Sequence, residues 1–161
     1  TMVPISEHDL QSALIVGRVL AYAQGFRILY AASEVFDWSL DFARIAEIWR
    51  AGCIIRSTIL DDIAAAFRTE LPQGRLILSE HFIKVLTKNI SGLRRVVSAA
   101  ALRGLPVPAL AAALSWFYTI RQARGTPDLI QAQRDYFGAH SLHRIDDGGS
   151  HHGPWHGPKG A

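Results

Sequence analysis

Apolar residues recur every three or four positions along most of the chain, and no window shows sustained alternation of apolar and polar residues. A period of about 3.6 indicates amphipathic helices, whereas strict alternation would indicate strands. The pattern therefore predicts an all-α fold, a multi-helix array without a β-sheet. The predicted helices span about residues 6–32, 37 or 39 to 50, 54–67, 79–103 and 109–124, with a short helix from residue 127.

The first predicted helix carries both a start signal and two glycines. Ser6 followed three positions later by Asp9 is typical of a capping arrangement. Gly17 and Gly25 lie inside the helix, where each costs about 1 kcal/mol relative to alanine. We therefore expect both glycines to permit close packing against neighbouring helices.

The composition changes near the C-terminus, where Gly, His, Asp and Pro replace the apolar pattern from Asp146 onward. Such a segment cannot build a core, so we expect an extended tail that is ordered only when something binds it. The predicted organisation is an all-helical domain at residues 1–140 and an extended tail at residues 141–161.

Length and charge narrow the classes of function. The 161 residues correspond to about one domain, and 49% of them are hydrophobic, enough for a sizeable core. The net charge of +3 comes from scattered basic residues, which argues against a nucleic-acid surface. The chain opens without a signal-peptide pattern, and no uncharged apolar stretch reaches the roughly 18 residues that span a bilayer. We expect a cytoplasmic protein with no membrane or nucleic-acid partner.

The single cysteine, Cys53, lies in an apolar run and has no partner for an internal disulfide or a zinc site. We expect it to be a small buried hydrophobic residue in a protein of a reducing compartment.

Arg56 is the first candidate for chemistry, because it interrupts the same apolar run. A buried arginine is costly unless it is paired, and a guanidinium suits phosphate or carboxylate ligands. The alternative is an internal ion pair with a nearby acid such as Asp61, Asp62 or Glu47.

Arg134 and His140 form the second candidate, six residues apart, with Gly138 allowing a turn between them. Arg134 could bind an anion and His140 could donate to a ligand oxygen. The alternative is a surface arginine beside a histidine that caps a helix.

Other polar and aromatic clusters point more weakly to function. The tail histidines His151, His152 and His156 are spaced loosely and show no carboxylate support, so we predict no metal site. Asp61 and Asp62 are expected on a solvated or arginine-paired helix face. The aromatic residues Trp116 and Tyr118 are expected in the core or an interface.

Three motifs in order give the chain a specific resemblance. They are Tyr-Ala-Gln-Gly-Phe at 22–26, Ile-Trp-Arg-Ala-Gly-Cys-Ile-Ile-Arg-Ser at 48–57, and the segment 128–140 ending in Gln-Arg-Asp-Tyr-Phe-Gly-Ala-His. Together they resemble the C-terminal half of the decarboxylating 6-phosphogluconate dehydrogenases. The resemblance covers essentially the whole chain but only part of the family's protein.

The resemblance implies a function and a set of ligands. Members of the family oxidise 6-phosphogluconate with NADP and release carbon dioxide, giving ribulose 5-phosphate in the pentose phosphate pathway. They are homodimers whose C-terminal tail reaches into the partner subunit. The resemblance assigns Arg56 to the substrate phosphate, and it assigns Arg134 and His140 to the substrate bound in the other subunit.

The family's NADP-binding Rossmann domain and its catalytic lysine and glutamate have no counterpart in these 161 residues, so no catalytic residue is predicted. We expect the isolated chain to be inactive. The competing interpretation is a standalone helical dimerisation or binding protein that has lost catalysis. A further one is the helical domain of another β-hydroxyacid dehydrogenase, which leaves the Arg134–His140 motif unexplained.

Overall fold

The computed structural model describes residues 4–52 and 54–155, and these residues form α-helices and short 3-10 turns without a strand. The all-α prediction is confirmed. The helices are α1 (Glu7–Phe36), α2 (Phe42–Gly52), α3 (Ile59–Phe67), α4 (Glu80–Leu102), α5 (Pro108–Ile120) and α6 (Pro127–Gly138), with 3-10 turns at Pro72–Gly74 and Leu76–Leu78.

The chain divides into two compact units, Thr1–Phe117 and Tyr118–Ala161. The first holds α1 to α4 and most of α5, and the second holds α6 and the tail. The division at residue 140 inferred from composition stays a prediction.

The first unit is built on the packing of α1 against α4, with α2 and α3 paired beside them. The α1 core positions are apolar and fully buried, and so are their counterparts on α4, where Phe82 and Leu93 have no exposed surface. Gly92 brings the two helices together, since a Cβ there would lie 2.5 Å from Ser12 Cβ. Helix packing around one apolar core therefore holds this unit.

The two glycines of α1 behave differently. A Cβ on Gly17 would lie 2.6 Å from a methyl carbon of Leu110, which confirms the expected close packing. Gly25 has nothing within 4 Å of such an atom, so the packing prediction is wrong there. Gly25 lies instead on the wall of a surface depression described below.

Helix α1 is also the one helix of the described residues that is long and apolar enough to cross a membrane, with a mean hydropathy of 1.2 over 18 residues. Of that window, 44% is buried inside the protein, where α1 packs against α4. A central core helix satisfies the same criterion of length and composition.

Several helix boundaries differ from the sequence pattern. Helix α1 continues to Phe36, and Asp37 ends it in a left-handed conformation with φ 54°. Asp41 starts α2 by accepting a hydrogen bond from the Arg44 N–H at 2.9 Å. Helix α3 begins at Ile59 rather than at residue 54, and α5 ends at Ile120 rather than at residue 124.

The described tail residues are not helical, but they do not extend away from α6. Leu142 and His151 exchange two backbone hydrogen bonds of 2.8 and 2.9 Å, so the tail doubles back. Its continuation, residues 152–155, returns to the side chain of Asp135 on α6. Composition alone gave no sign that the chain itself would bind the first part of its tail.

Candidate functional site: two arginine-lined depressions

The first depression lies in the first unit, between α1, the end of α2 and the segment 54–57, and has a volume of about 570 Å³. None of its described lining residues is acidic. Its principal side chains are Arg18, Tyr22, Trp49, Ile54 and Arg56.

Two hydrogen bonds hold segment 54–57 against α1. The Tyr22 hydroxyl donates to the carbonyl of Ile55 at 2.6 Å, and Arg18 Nη1 donates to Ser57 Oγ at 3.3 Å. These contacts explain why the helical spacing of residues 54–58 does not produce a helix, since tertiary contacts override a weak local preference.

Arg56 is exposed and forms no ion pair with any described residue. The acids proposed as its internal partners are engaged elsewhere: Asp61 with Arg50, Asp62 with His81 at 3.7 Å, and Glu47 with Arg44 and Arg68. The internal-pair alternative is therefore wrong for the part of the chain that the structure describes.

The reasoning that singled out Arg56 was wrong in one respect. The run around it is not buried, because Ile54 is 100% exposed and Ile55 is 45% exposed. Cys53, expected to be a buried hydrophobe, lies outside the described residues. Arg56 thus has no burial cost to offset, and its guanidinium is available to an external anion.

Arg18 was missed by the sequence interpretation. It lies on the polar side of α1, one turn before Tyr22, and it lines the same depression as Arg56. The sequence signal that could have identified Arg18 was its position as a basic residue on a mainly apolar helix.

The second depression lies in the second unit at the end of α6 and has a volume of about 400 Å³. Arg134 and His140 both line it, together with Ile130, Phe137 and Gly138. The structure therefore brings together the two residues that the sequence paired.

A sharp turn after α6 produces this arrangement. Gly138 is the last helical residue, and Ala139 and Ser141 take left-handed conformations with φ 49° and 62°. The imidazole of His140 folds back over Gly138, where a Cβ would lie 2.6 Å from His140 Nε2. A side chain at position 138 would therefore require the exposed His140 ring to move.

Arg134 keeps its positive charge free for a ligand. Its Nη1 donates to the neutral amide oxygen of Gln131 at 3.0 Å, and no described carboxylate pairs with it. Arg124, a second arginine of this unit, lies just before α6 and is by contrast neutralised, because its Nε lies 3.0 Å from Asp128 Oδ2.

Asp135, the neighbour of Arg134, was also missed. Its side chain is fully buried, and it accepts hydrogen bonds from Ser141, His152, Gly153 and Trp155. Burial raises the pKa of this carboxyl, but the hydrogen bonds together outweigh it and hold the pKa well below its usual range. No sequence signal marked this aspartate, because its hydrogen-bond donors lie 6 to 20 residues further along the chain.

The remaining candidates fall into structural roles. Asp61 and Asp62 are half-exposed and paired, which confirms the arginine-paired helix face for the first of them. His152 binds Asp135, and His151 Nε2 lies 3.5 Å from Asp147. Within residues 4–52 and 54–155, no three metal-binding side chains come together. His156 lies outside the described residues.

Trp116 is half-buried and packs against the core of the first unit, as expected, while Tyr118 is 37% exposed.

The sequence profile of one protein family matches nearly the whole chain. That family is described as the C-terminal domain of 6-phosphogluconate dehydrogenase, and the match covers residues 4–155. The chain belongs to the 6-phosphogluconate dehydrogenase family.

Curated relatives agree with this assignment. The decarboxylating 6-phosphogluconate dehydrogenase of Lactococcus lactis is 42% identical over 147 residues, which are 91% of this chain and 31% of that protein. The Shigella flexneri protein of the same name is 44% identical over 146 residues, again 91% and 31%. The chain thus spans about a third of the length of these relatives.

A solved structure shares the fold. The 6-phosphogluconate dehydrogenase of Plasmodium falciparum superposes with a TM-score of 0.87 at 35% identity, covering 95% of this chain and 34% of that one. That enzyme has been solved in its apo form, with its cofactor NADP+ and with its substrate 6-phosphogluconate. The helical array described above is therefore the fold of the C-terminal domain of 6-phosphogluconate dehydrogenase.

Proposed function

We propose that this chain is the C-terminal helical portion of an NADP-dependent, decarboxylating 6-phosphogluconate dehydrogenase. The enzyme would convert 6-phosphogluconate to ribulose 5-phosphate and carbon dioxide in the pentose phosphate pathway of the cytoplasm. NADP would be held mainly by an N-terminal domain. The role of the present chain would be to supply the dimer scaffold and contacts to the substrate phosphate.

The observation that carries this proposal is the pairing of Arg134 with His140 in one depression. A phosphomonoester carries a charge of roughly −1.5 to −2 near pH 7. A guanidinium that is not neutralised by a carboxylate can bind two of its oxygens at once, and an imidazole can donate to a third. These are the donors that the phosphate end of 6-phosphogluconate requires.

Arg56 is the second proposed phosphate contact. Its support is the lack of an acidic partner among the described residues and the lack of acidic residues along its depression. The depressions of Arg56 and Arg134 lie in different units, and the proposal has the two arginines meet one phosphate from different chains of a homodimer.

A second copy of the chain is the proposed partner of α6. Leu129, Ile130 and Phe137 expose 64, 51 and 81% of their surfaces. Such apolar exposure beside a basic residue is typical of an interface. With the tail folded onto α6, both would enter the partner subunit together.

The test is binding of 6-phosphogluconate to the 161-residue chain by calorimetry, with gluconate as the ligand that lacks the phosphate. We expect Arg134→Ala and Arg56→Ala each to weaken binding of 6-phosphogluconate by about 10- to 100-fold, the range for hydrogen bonds to charged groups. Arg124→Ala is the matched control, since Asp128 already neutralises that guanidinium, and it should bind as the unmodified chain does.

Mixing the two variants tests whether the site is shared between chains. A heterodimer of the Arg56→Ala and Arg134→Ala chains holds one site with both arginines intact, so a fraction of sites should regain full affinity. No recovery would mean that the two arginines do not act on one ligand across the interface. Equal affinity of the two variants and the unmodified chain would remove both residues from the site.

The alternative, a standalone helical dimerisation or binding protein, differs from the dehydrogenase in the coding sequence expected upstream of Thr1. A reading frame that continues upstream of Thr1 into a Gly-x-Gly-x-x-Gly strand–turn–helix unit supports the dehydrogenase. A stop codon directly before Thr1 supports the standalone protein.

A further inference from the structure

Asp135 is buried within a ring of donors from the end of α6 and from the tail. The N–H groups of Ser141 and Gly153 donate to its carboxylate at 2.8 and 2.9 Å, and Trp155 Nε1 donates at 2.9 Å. The fourth contact joins His152 Nδ1 to Oδ1 at 2.6 Å. The donors come from 6 to 20 residues further along the chain, so this carboxylate organises a loop rather than a helix turn.

The same residue fixes both backbone neighbours of His140. The N–H of Ala139 donates to the main-chain carbonyl of Asp135 at 2.8 Å, and the N–H of Ser141 donates to its side chain at 2.8 Å. Both neighbours have positive φ, a conformation that non-glycine residues adopt only when surrounding contacts hold them there. Between these two constrained residues, the His140 ring lies over Gly138.

The two carboxylate oxygens have different donors. Oδ1 accepts hydrogen bonds from Ser141 and His152, whereas Oδ2 accepts them from Gly153 and Trp155. The turn that carries His140 and the tail residues 152–155 are therefore tied to one carboxylate. Displacing either would leave buried polar groups without partners, which proteins strongly avoid.

We propose that Asp135 is the positioning residue of the Arg134–His140 pair and couples the placement of His140 to the docking of tail residues 152–155. The identity of the ligand, the phosphate of 6-phosphogluconate, rests on the proposed function. The coupling itself does not, because it concerns contacts within the second unit alone. Tail residues 152–155 thereby become part of the support for His140, although they do not line its depression.

The test replaces the carboxylate by an amide of the same shape, Asp135→Asn, in the full chain. An amide offers one acceptor oxygen and one donor NH₂ group, so half of the ring of donors would face another donor. Asp128→Asn is the matched control: it lies on the same helix, and its carboxylate is exposed and paired only at the surface with Arg124.

Two NMR readouts report on positioning rather than on folding. The first is the nuclear Overhauser contact between the His140 ring and the Gly138 Hα protons, which we expect to be lost in Asp135→Asn. The second is hydrogen exchange at the amides of Ser141 and Gly153, which we expect to accelerate by about 10-fold or more, as for loss of a hydrogen bond to a charged group. The control should change neither readout.

An Asp135→Asn chain that retains the His140–Gly138 contact and normal exchange would overturn the proposal. Trp155→Phe covers the case in which that variant loses α6 altogether, because it keeps the carboxylate and removes one tail donor. Faster exchange at both Gly153 and Ser141 in Trp155→Phe would support the coupling, whereas a change confined to Gly153 would overturn it.

Titration with 6-phosphogluconate separates this inference from the proposed function. If the ligand shifts the His140 ring signals of the unmodified chain and no longer shifts them in Asp135→Asn, both stand. If the ligand shifts nothing even in the unmodified chain, the proposed function fails, and the contact and exchange readouts still decide the role of Asp135.

Discussion

Each of the two units buries an aspartate, and the surroundings of these two acids show how differently the units are held. Asp9 lies between α1 and α4, where Arg95 Nε and Nη2 donate to it at 2.8 and 2.5 Å and Ser6 completes the capping box. Asp135 is surrounded by backbone N–H groups, a histidine and an indole. The first acid joins two helices that already pack together, and the second joins α6 to the tail, between which the aromatic contact of Tyr136 and Trp155 at a centroid distance of 6.3 Å adds to the polar ones.

The two units also differ in how many side chains they bury. The first unit buries more than twenty apolar side chains around α1 and α4, roughly the core expected for its length. In the described part of the second unit, Asp135 is the only buried residue. Burial of apolar surface is the main force that drives folding, so the second unit depends on a polar centre and on whatever covers its exposed apolar residues.

The largest expected effect tests the apolar half of this contrast. Phe26 on α1 is 1% exposed and contacts the rings of Trp49 and Phe67 at centroid distances of 5.2 and 4.9 Å. Replacing it by alanine leaves a cavity, so we expect Phe26→Ala to lower the free energy of unfolding by about 3–5 kcal/mol. Urea denaturation followed by circular dichroism measures the change.

Ile28→Ala is the control on the same helix. Ile28 is 70% exposed, and substitutions at such positions change the free energy of unfolding by no more than about 0.5 kcal/mol. Equal losses in the two variants would contradict the assignment of α1 as the central core helix.

The sequence predicted the first unit well, because that unit depends on periodic apolar burial. The helical period located α1, α2 and α4 to within a few residues. It failed at residues 54–58, where the spacing is helical but Tyr22 and Arg18 hold the backbone in another conformation.

The second unit could be predicted only in part. The resemblance of residues 128–140 to a family motif indicated that Arg134 and His140 work together, and the structure places both at one depression. Asp135 and the return of the tail to it have no periodic signature, because contacts between single polar groups far apart in sequence follow no pattern of spacing. Gly138 is the last helical residue rather than the turn itself, which the left-handed Ala139 and Ser141 make, and the folding of the His140 ring over Gly138 needed the structure.

An intermediate effect concerns the loss of stability at low pH, which should depend on Asp9. The hydrogen bond from Arg95, followed by those from the Ser6 N–H and hydroxyl, holds the pKa of Asp9 well below its ordinary value of 3.8. A lowered pKa in the folded state means that the stabilisation is complete above the ordinary value and is lost as the pH falls further. We therefore expect the free energy of unfolding of the first unit to decline below about pH 4.

Asp9→Asn sharpens this prediction. The variant should be less stable than the unmodified chain at neutral pH and should show a weaker decline in acid, because the amide does not titrate. Urea denaturation at a series of pH values measures both slopes. If the free energy of unfolding fell equally steeply with decreasing pH in the two proteins, carboxylates other than Asp9 would control the loss of stability in acid.

The smallest expected effect compares helix starts in the two units. Ser79 caps α4 by accepting a hydrogen bond from the Phe82 N–H at 3.3 Å, whereas Thr126 precedes α6 without a side-chain capping bond. Loss of a capping side chain typically costs about 1 kcal/mol. We expect Ser79→Ala to lower the free energy of unfolding by about that amount in urea denaturation and Thr126→Ala to leave it nearly unchanged. A comparable loss in Thr126→Ala would mean that α6 contributes to stability through its own helical contacts, and the dependence of the second unit on Asp135 would then be weaker than its burial implies.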